Sequence, residues 1–529
     1  MNKPRLSIII NGHYPFISPG GEQDPEEQGF FEALSETYLP LLETLGRLEN
    51  SRVPFRLGLV LSPSLCAMLE DETLLKRYLA WLDRRVDFGG KELERCAGNQ
   101  ALSILARYYF DRDLERRVSL VERYGLDLLS AFEGFQKRGC LELLISAATG
   151  AFLPFYASID EAIHAQIETA VIHHRRYLGK IPRGFWLPEL GWTSELGSFL
   201  RQYHFTYTIV EPHALILGNP PALGGSFRPV KTKSGLVIFA RDITAQKDLE
   251  ELKASWSGFY QGSFADAGYE LPVEALKPLL DAEGGRCPTG YRYWAGEKDR
   301  RLYDPQKARE AAAEAARRFL DRRVARLEAA QRRLEGEAIS LWAFDAAALG
   351  YSWSEGMTFL ETLVTEIALK GALSLKTPLD YLEETGDSSF QVVEPEFSSA
   401  LEGGYGGLLL DASNDWMYRH IFRSIQRMIE MAGRFPGSTG LKERALNQAA
   451  REILLAQSAD LAKPLNPQWK GGPLGGEYAK KELEDALLNF TTLYEALGSN
   501  HISTEWLTAL ERKHSFLPHI NYRVFEKKK

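Results

Sequence analysis

Short apolar, β-branched runs alternate with long helical segments over almost 400 residues, and few folds satisfy that rhythm. The runs lie at 6–10, 56–61, 141–145, 184–187, 207–210, 339–344 and 373–375. The spacers at 26–50, 67–85, 91–137 and 304–335 carry apolar residues at helical spacing, and Asp304 before Pro305 has the chemistry of a helix cap and first turn. A strand followed by a helix and then a parallel strand must cross over its sheet, so repeated units wind into an open α/β sheet or close into a barrel. Seven strands suit a barrel with one unit fewer than the usual eight.

Residues 213–300 break the rhythm with Gly, Pro and aromatics. They include an alternating strand at 236–240 that ends in Arg241 and Asp242, and we read them as an insertion over the barrel mouth. From 396 the pattern is helical, apart from a Gly- and Pro-rich loop at 462–477. The expected organisation is a barrel over 1–395, with its insertion at about 213–300, and a helical domain over 396–529.

Lys plus Arg is 63 against 71 for Asp plus Glu, a formal charge of −8. No basic surplus exists to neutralise phosphates, so nucleic acid is not an expected partner. No apolar stretch reaches the roughly 20 residues that span a bilayer, and the N-terminus lacks signal-peptide architecture. A cytoplasmic protein with no membrane contact is expected. Cys66, Cys96, Cys140 and Cys287 lie far apart and read as buried free thiols. His173 and His174 read as surface or capping residues. The ten histidines form no HExxH or other readable metal-site pattern, and GxSxG, Walker A and strand-linked GxGxxG motifs are missing.

Several strand runs lead straight into a polar residue: His13, Glu189 and Asp345. In α/β barrels the reacting groups sit at the C-terminal ends of strands, so these three are expected to converge. Glu189 is framed by Trp186 and Trp192, and Asp345 is preceded by Trp342. Two carboxyls with aromatic neighbours are the elements of glycosidic-bond chemistry, one protonating the leaving oxygen while the other attacks or activates water. A strand-end acid equally serves as a helix cap or ion-pair partner.

The segment GFWLPELGW at 184–192 resembles the nucleophile motif of glycoside hydrolase family 57, and in particular that of its α-1,4-glucan branching enzymes. Supporting segments run along the chain: NGHYPFI at 11–17, FFEALSETYLPLL at 30–42, GCLELLISAATG at 139–150, GLVIFARD at 235–242, AFDAAALGYSWSEG at 343–356, SNDWMYRHIFRSIQRMIEMA at 413–432 and ALNQAAREILLAQSADL at 445–461. The resemblance implies a (β/α)7 barrel with an inserted domain B and a C-terminal helical domain. It implies a retaining double displacement with Glu189 as nucleophile and Asp345 as general acid/base, acting on an α-glucan without metal or cofactor. That mechanism calls for a buried acid/base. His13 and Asp460 are expected to hold sugar hydroxyls or orient the carboxylates. Trp192, Trp353 and Trp416 are expected to shape the groove, with Arg241 and Asp242 at its edge. A lid over 242–268, carrying Trp256 and Tyr260, would keep water from the intermediate. The expected assembly is a monomer or small homo-oligomer.

The departures from the family pattern cluster in the motifs. Asn11 replaces the first histidine of an HxH pair, Gly29 a tryptophan, and the histidine of a SAATHG-like motif is gone, leaving Gly150. Ala347, Tyr351 and Ser352 stand for a glutamate, a histidine and a tryptophan. Two groove tryptophans fall on Ala400 and Leu409, and the SSDW motif reads Ser458, Ala459, Asp460, Leu461. Tyr351, Tyr405, Trp192 and Trp256 would then rebuild a groove of different shape. Branching is the expected activity. Hydrolysis as an α-amylase, 4-α-glucan transfer, and a weak or inactive glucan-binding homologue stay open.

Overall fold

The computed structural model describes residues 3–21, 23–261, 266–296, 301–334, 337–386 and 389–528. Among the described residues, seven parallel strands make a ring: β1 (Arg5–Gly12), β2 (Leu57–Leu61), β3 (Leu141–Ser146), β4 (Gly184–Trp186), β5 (Tyr207–Val210), β6 (Val237–Ala240) and β7 (Ile339–Asp345). Neighbours pair in the order β7–β1–β2–β3–β4–β5–β6. A parallel bridge from Arg241 to Leu341 closes the ring, with the Asp242 N–H donating to the Leu341 carbonyl at 2.8 Å.

One stave differs from expectation. β6 comes from the stretch assigned to the insertion, whereas Ser374–Leu375 pairs, among the described residues, only with Arg5 and Leu6 at the start of β1. A short apolar run does not reveal its partners: Val237–Ala240 is buried throughout and bonded on both sides, while Ser374 and Leu375 are half-buried.

The pleat then decides what faces inward, because alternate residues of a strand point to opposite faces. Ile9, Val60, Leu144, Trp186, Tyr207, Ile209, Val237, Phe239, Ile339, Leu341 and Ala343 belong to the barrel interior. The same parity carries on to Asn11, Arg241 and Asp345, which therefore sit at the top of the barrel. Trp342 has the opposite parity. It is fully buried on the helix side against Phe319, ring centroids 4.8 Å apart, and does not flank Asp345 in the interior.

Helices cover the outside of the ring. Pro305–Gln331 starts as its sequence predicts, Asp304 accepting from the Gln306 and Lys307 amides at 3.1 Å with Pro305 in the first turn. His173 and His174 are buried on the helix Asp160–Leu178 rather than on the surface, and burial lowers both pKa values to about 4. Cys66 and Cys96 are buried, Cys140 and Cys287 only partly so.

The last quarter of the chain forms the helices Asp415–Arg434, Gly440–Ala456, Gly476–Ser499 and Thr504–Lys513. Between the second and third, residues 458–475 reach back to the barrel, where Ser458 bridges to Ala151 after β3. No helix among the described residues is long and apolar enough to cross a membrane.

Candidate active site

A cleft of about 290 Å³ opens at the C-terminal ends of β1, β4, β6 and β7. That volume is near the lower end of ordinary ligand pockets, about 300–1,000 Å³. Glu189, Asp345, His13, Arg241, Tyr351 and Asp460 all line it, so six of the residues singled out from sequence meet in one space.

Glu189 lies on the tight turn that follows β4. Its backbone is left-handed at φ 53° and ψ 20°, and Leu190 follows at φ 48°. Such a conformation costs a non-glycine residue of the order of 1–3 kcal/mol and persists only where the surroundings hold it. Here the Glu189 carbonyl accepts from the Ala400 N–H at 2.6 Å. The next anchor is Trp192, whose backbone exchanges hydrogen bonds with Ser398 and whose indole N–H donates to the Pro395 carbonyl at 3.2 Å. Trp192 is fully buried, so it secures the turn and does not line the groove.

Asp345 ends β7, in register with Asn11 on β1, and its Oδ1 accepts from Asn11 Nδ2 at 2.9 Å. The side chain is exposed to the cleft, not buried as the mechanism led us to expect. A π-helical turn, Leu34–Tyr38, stands beside it and brings Thr37 and Tyr38 to the wall. Thr37 Oγ1 accepts from the Tyr351 N–H at 3.1 Å, and the Tyr38 hydroxyl donates to the His13 carbonyl at 3.0 Å.

The opposite wall comes from the C-terminal segment. Asp460 Oδ2 lies 2.8 Å from His13 Nε2, and its Oδ1 lies 3.2 Å from Lys463 Nζ. Lys463 also donates to Glu189 Oε1 at 2.5 Å. Burial alone would raise the Asp460 pKa, but His13 and Lys463 outweigh it and hold the carboxyl well below the usual range. Burial likewise opposes the Lys463 charge, yet Glu189 and Asp460 prevail and push its pKa up. Pro464, Trp469, Gly472, Pro473 and Leu474 continue this wall.

Seven predicted residues do not line the cleft. Asp242 is buried, caps the helix Ile243–Ser255 through the Thr244 amide, and accepts from Ser340 Oγ at 2.9 Å. Tyr260 and Trp353 are buried against each other, centroids 5.4 Å apart. Trp256 packs on Phe259 under the Arg318 guanidinium. Residues 262–265 of the expected lid lie outside the described residues. Trp416 contacts His420 on its own helix, with its indole N–H on the Ser413 carbonyl. Tyr405, 55% exposed, stands in an adjoining groove with His213 and Glu211 that shares Arg241 and Ala400 with the cleft. Trp192 completes the set as a buried anchor.

Sequence reasoning missed Lys463 and Trp469, both in the stretch read as a plain loop. Their residue types were the only signal: an ammonium three residues after Asp460, and a tryptophan among glycines and prolines.

Residues 7–394 match the glycosyl hydrolase family 57 profile, and residues 420–525 match that of the C-terminal part of 1,4-alpha-glucan branching enzymes. The 1,4-alpha-glucan branching enzyme of Thermococcus kodakarensis is 26% identical over 493 residues, 87% of this chain and 69% of its own length. The crystal structure of the alpha-amylase AmyC of Thermotoga maritima superposes with a TM-score of 0.92 at 29% identity, covering 100% of both chains. That of the branching enzyme of Pyrococcus horikoshii superposes with a TM-score of 0.87 at 23% identity, over 100% of this chain and 98% of the other.

Proposed function

The chain belongs to glycosyl hydrolase family 57, and from that premise we propose that it is a retaining α-glucan-acting enzyme whose product is an α-1,6 branch. The observation that carries this reading is that Glu189, Asp345 and the C-terminal segment from Asp460 to Leu474 line one cleft. We assign 1–395 to the catalytic unit and 396–529 to the helical unit that completes its wall.

The chemistry follows from the positions of the groups. A Glu189 carboxylate oxygen bonds the anomeric carbon while the glycosidic bond breaks, and Asp345 gives its proton to the departing 4-oxygen. The product of this step is a glycosyl ester on Glu189 and a carboxylate at Asp345. Asp345 then takes the proton of the incoming 6-hydroxyl, whose oxygen displaces Glu189 and restores the anomeric configuration. Asn11 fixes the rotamer of Asp345 for both steps. Of the aromatic rings on the cleft wall, we assign Trp186, Tyr351 and Trp469 to the apolar faces of glucose units. Transfer exceeds hydrolysis to the degree that water is kept from the ester, and the wall formed by 463–474 takes the part assigned from sequence to 242–268.

The test is incubation with amylose, followed by debranching and chain-length analysis beside a Glu189→Gln control. New α-1,6 linkages that vanish in the control support the reading. A second reading, hydrolysis, is favoured by the full-length likeness to the Thermotoga amylase. Reducing ends that rise without branches would replace the first reading by the second. An unchanged chain profile, with glucan still retained in an affinity gel, would overturn both in favour of a binding protein.

A further inference from the structure

The ammonium of Lys463 touches the carboxylate that carries the proposed covalent bond, and the chain takes some trouble to bury it there. Lys463 is 8% exposed and belongs to the short turn that follows Asp460. Its Nζ lies 2.5 Å from Glu189 Oε1, 3.2 Å from Asp460 Oδ1 and 5.1 Å from the centre of the Trp469 ring. A buried ammonium is costly unless paired, and both of its carboxylate partners belong to the cleft. Asp460 is shared with His13, and Glu189 supplies the shorter of the two contacts.

These contacts change during turnover. In the free enzyme Glu189 is an anion beside a cation. In the glycosyl-enzyme it is a neutral ester, and among the described residues Lys463 keeps Asp460 as its full counter-charge. The Lys463–Glu189 attraction is therefore strongest in the carboxylate and weakest in the ester, and it returns as the ester breaks. It also occupies Oε1, which leaves Oε2 for attack on the anomeric carbon.

Resting on the assignment of Glu189 as nucleophile, we propose that Lys463 is a positioning residue that presents one oxygen of Glu189 to the sugar and speeds breakdown of the glycosyl-enzyme. In that breakdown the acceptor hydroxyl gives its proton to the Asp345 carboxylate and its oxygen bonds the anomeric carbon. The electron pair of the ester C–O bond returns to Glu189, where Lys463 meets the restored charge. The cation thus shortens the life of the intermediate at some expense to its formation.

The experiment uses the full chain and α-maltosyl fluoride, a donor whose leaving group departs without a proton from Asp345, so that breakdown limits turnover. Lys463→Met is expected to lower kcat at least tenfold and to lower KM with it, and intact-mass measurement should find a maltosyl adduct that maps to the Glu189 peptide. Lys463→Arg, which keeps the charge, should restore turnover and leave little adduct. Lys463→Gln, which can still hydrogen-bond Glu189, should accumulate adduct like the methionine variant and serves if that variant does not fold. A merely structural role would lower kcat without adduct and without rescue by arginine, and that result overturns the proposal, as does wild-type turnover in both uncharged variants. Wild-type protein that neither consumes the fluoride nor acts on amylose would instead overturn the enzymatic reading on which this one rests.

Discussion

The wall that carries Lys463 and Trp469 runs directly into the helix Gly476–Ser499, and that helix is tied to its neighbours by a buried charged node. His514 is fully buried, its Nδ1 2.8 and 2.7 Å from the two Glu452 oxygens and its Nε2 2.9 Å from Glu482 Oε1. Gln448 and Asn489 donate to Glu452, Ser18 from the loop after β1 donates to Glu482, and Lys513 stands next to His514 in an ion pair with Asp485. Burial opposes the imidazolium, but the hydrogen bonds to Glu452 and Glu482 outweigh it and raise the His514 pKa from 6.5 to about 9. A raised histidine stabilises the fold fully below its unfolded pKa. The contribution fades as pH climbs and is gone above the folded value.

Between pH 6.5 and pH 9 the shift is worth about 3 kcal/mol, at about 1.4 kcal/mol per pH unit. With unfolding entropy of about 2.1 cal/mol/K per residue over 529 residues, that energy moves the melting midpoint by about 3 °C. The perturbation is Glu482→Gln, which keeps the shape and the acceptor but removes one of the two charges that hold the proton. Melting curves from pH 6 to 10 at a fixed scan rate should show a smaller alkaline loss in the variant, roughly half, beginning at lower pH. Groups that do not interact with Glu482 cancel in the difference. Parallel declines in the two proteins would refute the assignment of the alkaline limb to His514. On the acid side, burial alone would raise the Glu482 pKa, but its hydrogen bond to His514 prevails and lowers it. Its stabilisation is therefore present at neutral pH and lost as pH falls through the folded value.

Three further outcomes follow from the cleft. Glu189→Gln and Asp345→Asn should each cut glucan turnover by about a thousandfold or more, with melting midpoints close to wild type, measured by linkage and reducing-end assays. Trp469→Ala should raise KM for a maltooligosaccharide about five- to thirtyfold, the equivalent of roughly 1–2 kcal/mol of lost ring contact, while Trp256→Ala leaves KM unchanged. Trp192→Phe should destabilise the fold by about 1–3 kcal/mol, from a lost hydrogen bond and a partial cavity, and should lower kcat through the loosened Glu189 turn.

The strand-end residues were legible because they obey local rules. Once Ile339, Leu341 and Ala343 face inward, Asp345 must as well, and the same counting brings Asn11 and Arg241 to the mouth. Glu189 was legible as a strand-end acid and from its motif, but not by parity, which the left-handed turn at 189–190 breaks. The aromatics were the poorest guide. A tryptophan gains as much by filling a core as by facing a sugar, and nothing within the motif separates Trp192 or Trp353 from Trp469. The place of the last of these at the cleft depends on a contact between segments more than 300 residues apart, the bridge of Ser458 to Ala151.

Gly150 shows how that contact is made possible. It has φ +69°, and a Cβ there would lie 3.0 Å from Asp460 Oδ2 and 3.3 Å from His13 Cε1. Its carbonyl accepts from the Ala459 N–H at 3.3 Å, next to the bridge between Ala151 and Ser458. With no side chain at Gly150, the C-terminal segment closes directly onto His13. The cleft holds an ammonium between two carboxylates. The proposed pair of acids therefore works beside a fixed cation, and the lifetime of the covalent intermediate is where that charge should be felt.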